Sequence, residues 1–206
     1  MGKIMIINGS PRAPKSNSKK FAYIFAKNCN IPTEYFELNK KNNKNICMIM
    51  DDFTDILLIF PLYVDGIPVT LLNFLKVLEN NPPKKKPKIS ILINCGFIEP
   101  EQNDVAIKMV RFFCKTQGYV FGSLLKIGSG EAILNTPFKI FVVKKIKKLA
   151  KAISKEKNEN LKITMPLPKK LQQNIGKTTE KEMELRKNKC LSWKLKKNKC
   201  RLFFKN

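Results

Sequence analysis

The residues with the most chemical potential lie close to the N-terminus, in Gly9-Ser10-Pro11-Arg12-Ala13-Pro14-Lys15-Ser16-Asn17-Ser18. Ser10, Ser16, Asn17 and Ser18 carry hydrogen-bonding side chains, and a helix is predicted to begin at residue 17. The unsatisfied amides and positive dipole end of that helix start face the same place, which is how a loop cradles a phosphate. Ser16 or Asn17 also suits a helix cap, and residue type alone does not separate the two roles. The string narrowly misses a nucleoside-triphosphate loop: Pro14 stands where glycine is required, ahead of Lys15-Ser16. Proline has no amide and a fixed φ, so it cannot join a wrap of successive amides. Two more loops follow apolar runs. Phe60-Pro61-Leu62-Tyr63-Val64-Asp65-Gly66-Ile67-Pro68 offers an aromatic and a turn, and Asn94-Cys95-Gly96-Phe97-Ile98-Glu99-Pro100 offers a glycine turn and a second aromatic. Three such loops together suit a planar ligand with a single phosphate.

Composition removes many alternatives. The 206 residues contain no histidine, which excludes Ser-His-Asp and Cys-His catalysis and histidine-ligated zinc, iron and haem. Cys29, Cys47, Cys95, Cys114, Cys190 and Cys200 include no C-x-x-C pair, so a zinc ribbon and a redox dithiol are unsupported and no metal is expected. No apolar run reaches the roughly 18 residues of a membrane span. The opening residues lead into a hydrophobic strand with no leader pattern, so a cytoplasmic location is expected.

Elements must position these loops. Residues 3–8, 55–60 and 89–94 are short runs apolar on both faces, the signature of strands covered by two helical layers. Residues 34–38 and 119–127 are weaker strand candidates. Helical spacing of apolar residues appears over 17–29, 69–79, 103–117 and 138–154, and less clearly over 43–53. Five strands alternating with helices predict an α/β three-layer sandwich around a parallel sheet. Ligands of such sheets sit beyond the carboxyl ends of the strands, where all three loops fall.

The formal charge of +24 is uneven: residues 1–143 sum to +8 and residues 144–206 to +16. With Met165-Pro166-Leu167-Pro168 reading as an extended linker, the chain divides into a domain over 1–155 and a basic C-terminal extension over 156–206. A polar helix is expected at 177–190, and Trp193, Phe203 and Phe204 lie among lysines in the final stretch. That tail could contact nucleic acid or an anionic membrane. General overuse of lysine accounts for the charge at least as well, and no nucleic-acid motif is present.

Asn8-Gly9-Ser10-Pro11-Arg12 followed by Ser16-Asn17-Ser18 resembles the phosphate loop of the flavodoxin-like NAD(P)H-dependent FMN reductases. Pro61 to Pro68 resembles their second flavin loop, and Asn94-Cys95-Gly96-Phe97 is similar to their third. The resemblance implies a flavodoxin-like fold with strand order 2-1-3-4-5, bound FMN, and NAD(P)H as co-substrate. It implies electron transfer to a small acceptor such as a quinone or free flavin, and a homodimer. Carried over, Ser10, Ser16, Asn17 and Ser18 would hold the phosphate. Pro61, Leu62, Tyr63 and Val64, with Asn94, Cys95, Gly96 and Phe97, would line the isoalloxazine, largely through backbone groups. Arg12 is placed near the phosphates of the dinucleotide, and Asp65 shapes the turn at the ring edge. Tyr63 either stacks on the flavin or packs under its loop, and Cys95 either touches the ring or serves as a small turn residue. No catalytic side chain is required, because the flavin carries the chemistry. Two other readings stay open: an electron carrier lacking a nicotinamide site, and a non-catalytic polyanion-binding protein. The compact cysteine cluster of iron–sulfur relatives is missing, so no cluster is expected.

Overall fold

The computed structural model describes residues 2–166. Six parallel strands form one sheet in the order β2-β1-β3-β4-β5-β6. They are β1 (Ile4–Asn8), β2 (Thr33–Glu37), β3 (Asp55–Pro61), β4 (Lys88–Asn94), β5 (Phe121–Ile127) and β6 (Asn160–Ile163). The helices are α1 (Asn17–Lys27), α2 (Asn43–Met48), α3 (Val69–Asn80), α4 (Asp104–Gln117) and α5 (Lys139–Ser154).

The apolar runs behave as expected of doubly covered strands. All five residues of β1 are buried, as are Ile56 to Phe60 of β3 and Ile89 to Asn94 of β4. Alternate side chains divide between two cores. Met5, Ile7, Ile56, Leu58 and Ile91 pack with α2, α3 and α4 through residues such as Ile46, Phe74 and Val110. Ile4, Ile6, Leu57, Ile59 and Leu92 pack with α1 and α5 through Phe21, Phe25, Val142, Ile146 and Leu149. The result is the expected three-layer α/β sandwich, with the predicted order 2-1-3-4-5 extended by one strand.

Two elements differ from expectation. The helix expected over 43–53 stops at Met48; the chain turns at Ile49 and continues as a 3-10 turn, Met50–Asp52. That break points Met50 and Phe53 into the core, where both are buried. The sixth strand lies past residue 155, and the compact unit runs over Met1–Met165. Its attachment begins before the strand itself: Ser123 Oγ donates to the Lys157 carbonyl (2.8 Å) and accepts from the Glu159 amide (3.0 Å). The helix expected at 177–190, together with Trp193, Phe203 and Phe204, falls outside the described residues.

Register aligns the carboxyl ends. Pro61 pairs with Asn94 and Asn94 with Ile127, while Asn8 pairs with Ile59 and Glu37. The loops after β1, β3, β4 and β5 therefore leave the sheet along one edge. Among the described residues, no helix is long and apolar enough to cross a membrane.

Candidate functional site

Asn8, the last residue of β1 and fully buried, organises the first loop. Its Oδ1 accepts from the Ser10 amide at 3.0 Å. Its Nδ2 donates to Tyr35 Oη at 2.8 Å, Ser16 Oγ at 3.3 Å and the Ala13 carbonyl at 3.4 Å. Burial, reinforced by neighbouring Glu37, pushes the Tyr35 phenol up to about 12 against the opposing effect of Asn8's amide. Ser10 Oγ accepts from the Arg12 amide at 3.3 Å, and residues 13–15 close into a 3-10 turn. The loop thus takes a defined shape before any ligand arrives.

Ser16 is the N-cap of α1: its Oγ accepts from the Lys19 amide at 3.1 Å and donates to the Ala13 carbonyl, also at 3.1 Å. Asn17 Nδ2 donates across to the loop after β5, to the carbonyls of Gly130 (3.0 Å) and Glu131 (3.3 Å). Ser18 Oγ, buried, meets Asn94 Oδ1 at 3.5 Å. The first backbone bond within α1 runs from Lys20 to Ser16, so the amides of Asn17 and Ser18 precede the helical ladder. The first turn contains no acidic residue, leaving the positive end of the dipole uncompensated.

These groups open on a cleft of about 360 Å³, a size within the usual range for small-molecule sites. The first loop contributes Ser10, Pro11, Arg12 and Lys15 to its wall, and α1 contributes Ser16, Asn17 and Ser18. Pro61, Leu62 and Tyr63 line it from the second loop, and Asn94 from β4. Nine of the residues singled out in the sequence therefore share one cavity. At the second loop, Tyr63 and Gly66 exchange backbone bonds of 3.0 and 3.1 Å around a two-residue turn. Val64 (φ 48°) and Asp65 (φ 56°) both occupy the left-handed region, where a β-branched residue such as valine is strained.

Val64, Asp65, Cys95, Gly96 and Phe97 lie outside the cavity wall. Val64 projects from its turn at 89% exposure, and Phe97 is partly exposed. Cys95 turns inward. Its thiol approaches the carbonyls of Phe97, Glu99 and Ile127 at 3.6–3.8 Å and receives the Asn103 amide at 3.3 Å. Burial raises its pKa, so the thiol is held protonated as a turn anchor.

The loop after β5 carries no motif that marks it in the sequence. Glu131 lines the cavity, and Gly130 backs against Asn94 so closely that a Cβ there would sit 2.8 Å from the Asn94 Cβ. In the sequence Asn8 stands only within Asn8-Gly9-Ser10-Pro11-Arg12, and a lone polar residue closing an apolar run is the signal that marks it. Glu131 gave none beyond its place after the fifth strand.

The cleft thus presents helix-start amides, a hydroxyl, two cations and the Glu131 carboxylate on one part of its wall, and proline, leucine and an exposed phenol ring on another. That combination suits an anionic group joined to a flat apolar body. No family model matches the chain, and no curated protein does. Solved structures do. An FMN-dependent NADH-azoreductase from Bacillus anthracis, solved with FMN, is similar at a TM-score of 0.57 with 13% identity, over 74% of this chain and 100% of that one. An NADPH-quinone reductase from P. pentosaceus is similar at 0.56 with 14% identity, over 73% and 98%. A flavodoxin from Streptococcus pneumonia TIGR4 gives 0.55 with 12% identity, over 75% and 99%. The chain has the flavodoxin-like fold, shared with azoreductases, quinone reductases and flavodoxin.

Proposed function

We propose that this protein binds FMN in the 360 Å³ cleft and is an oxidoreductase passing electrons from NAD(P)H to a small acceptor such as a quinone or free flavin. The observation that carries the reading is that the cleft joins an anion-binding helix start to an apolar aromatic rim at the carboxyl edge of the sheet. The resemblance of all three loops to those of FMN reductases, on a fold shared with such enzymes, supports it.

The residues fit the group. The Asn17 and Ser18 amides and the Ser10 hydroxyl would hold the phosphate, with Arg12 and Lys15 supplying charge. The Ser16 hydroxyl and the Asn17 amide nitrogen serve by fixing the loop, since both already bond to protein partners. Pro61, Leu62 and Tyr63 would bear on the ring, with the Val64–Asp65 turn and Gly96 at its edge. When bound, the flavin supplies the hydride and electron chemistry. The chain positions it and needs no side-chain acid or base.

The purified protein is expected to be yellow, with flavin absorbance that bleaches anaerobically on adding NADPH or NADH and returns with a quinone. Colour that does not bleach would favour an electron carrier. Colourless protein that refuses added FMN would refute the reading.

A further inference from the structure

The two helical layers differ sharply in charge. On one side of the sheet, α1 carries Lys19, Lys20 and Lys27 and no acidic residue. Beside it, α5 carries Lys139, Lys144, Lys145, Lys147, Lys148 and Lys151, again with no acidic residue. On the other side, α2, α3 and α4 with their adjoining 3-10 turns Met50–Asp52 and Pro100–Asn103 hold five basic and five acidic residues. Among the helices, lysine is concentrated on the α1–α5 side.

Lys144, Lys147, Lys148 and Lys151 are exposed and follow each other at three- and four-residue spacing, so they share one side of α5 and repel. Lys139 adds a cation at the N-terminal end of the helix, against the dipole. Among the described residues, the ion pairs of these two helices are Lys19–Glu37 at 2.9 Å and Lys148–Glu159 at 3.1 Å. Among the described residues, the other lysines of the two helices form no ion pair.

Aromatic surface accompanies the charge. Tyr23 is 73% exposed and borders a groove of about 450 Å³ between α1 and the start of α5. Ile24 and Leu134 give the groove apolar surface, and Lys19, Lys20 and Lys139 line it. Further along, Phe141 is exposed with the Lys144 Nζ 5.9 Å from its ring centre. A membrane surface would call for an apolar face standing proud of the lysines. Here the phenol lies beside a concavity, and the helix beyond it is studded with cations. A ring that can stack a base, next to a file of cations that can track phosphates, matches a single strand.

We propose that the α1–α5 face is a binding surface for single-stranded nucleic acid, with bases seated in the groove against Tyr23 and phosphates running along the lysines of α5. This surface belongs to the folded body, is separate from the flavin reading, and stands whether or not that reading does. The test is fluorescence anisotropy of a labelled 20-nucleotide oligo(dT) with the full chain, from 50 to 300 mM KCl. The variant Lys139→Gln/Lys144→Gln/Lys147→Gln/Lys151→Gln should flatten the dependence of log K on log salt by up to about 3, at about 0.7 per lost phosphate contact. Tyr23→Ala, which alters no charge, should weaken binding about 5- to 150-fold through lost stacking. The matched set Lys76→Gln/Lys108→Gln/Arg111→Gln/Lys115→Gln on the other face should leave both affinity and slope unchanged. Equal losses from the two sets would reduce the effect to net charge and overturn the proposal. So would unchanged binding in the α5 set and in Tyr23→Ala, which would move the contact elsewhere in the chain. Absence of oligonucleotide binding, with capture by phosphatidylserine vesicles instead, would assign the face to membranes and also overturn it.

Discussion

Replacing Asn8 by alanine removes the knot on which the first loop depends. Two of its hydrogen bonds have good lengths, 3.0 Å from the Ser10 amide and 2.8 Å to Tyr35 Oη, and two are longer, to Ser16 Oγ and the Ala13 carbonyl. At about 1 kcal/mol for each good bond, plus about 1–3 kcal/mol for leaving the Ser10 amide unpartnered in a buried position, the loss of stability should be about 3–5 kcal/mol. Tyr35→Phe removes only the phenol partner and should cost about 1 kcal/mol or less. Urea unfolding followed by circular dichroism measures both. FMN titration, read by quenching of flavin fluorescence, then separates scaffold from site. Asn8→Ala should weaken FMN binding even where the protein remains folded, because the chain that carries Ser10 and Arg12 loses its set position. Tyr35→Phe should leave it nearly intact. If Asn8→Ala unfolds in urea as the parent does and binds FMN equally well, the loop is shaped by Pro11, Pro14 and the 3-10 turn alone, and the reasoning fails.

Two other outcomes follow from local energetics. Val64→Asn should stabilise the protein by about 1 kcal/mol in thermal or urea unfolding, since asparagine tolerates the left-handed region that valine occupies here at φ 48°; no gain would mean the turn relaxes at no cost. The same substitution weakening FMN would show that the exposed valine is kept for contact with the ring. Alkali should destabilise the fold, because burial pushes Cys47 from 9.0 to about 11, Cys114 from 9.0 to about 12 and Tyr35 from 10.0 to about 12. Each of these acids holds its proton more tightly when folded, so stability is full below pH 9 and falls as pH rises toward 12. Flat stability across that range would contradict the burial of these groups.

The central strands were legible because sequence and environment agree over every residue. Ile-rich runs that are apolar on both faces have no comfortable place except between two helical layers. β6 was hidden for the opposite reason. It offers four residues, Asn160-Leu161-Lys162-Ile163, of which only Leu161 is buried. What holds it beside β5 begins with Ser123, a contact that no local pattern announces. The helix expected over 43–53 shows the limit of periodicity: its apolar spacing continues through Met50 and Phe53, but those side chains reach the core through a tightened turn instead of a regular helix.

In the cleft, residue types were readable and partners were not. Asn17 and the carbonyl of Gly130 are 113 residues apart, and only the closed sheet brings them together. The Ser16 hydroxyl and the Asn17 amide nitrogen brace the cradle, which in the proposed reading leaves the phosphate to helix-start amides, the Ser10 hydroxyl and the two cations. Those charges suit a phosphate monoester. Arg12, Lys15 and Glu131 line the same cavity with a net charge of +1, and the start of α1 adds roughly +0.5. A phosphate monoester near neutral pH carries about −1.5 to −2, close to that sum. The charge lining the cleft therefore balances a phosphate monoester without a further cation, as the FMN reading requires.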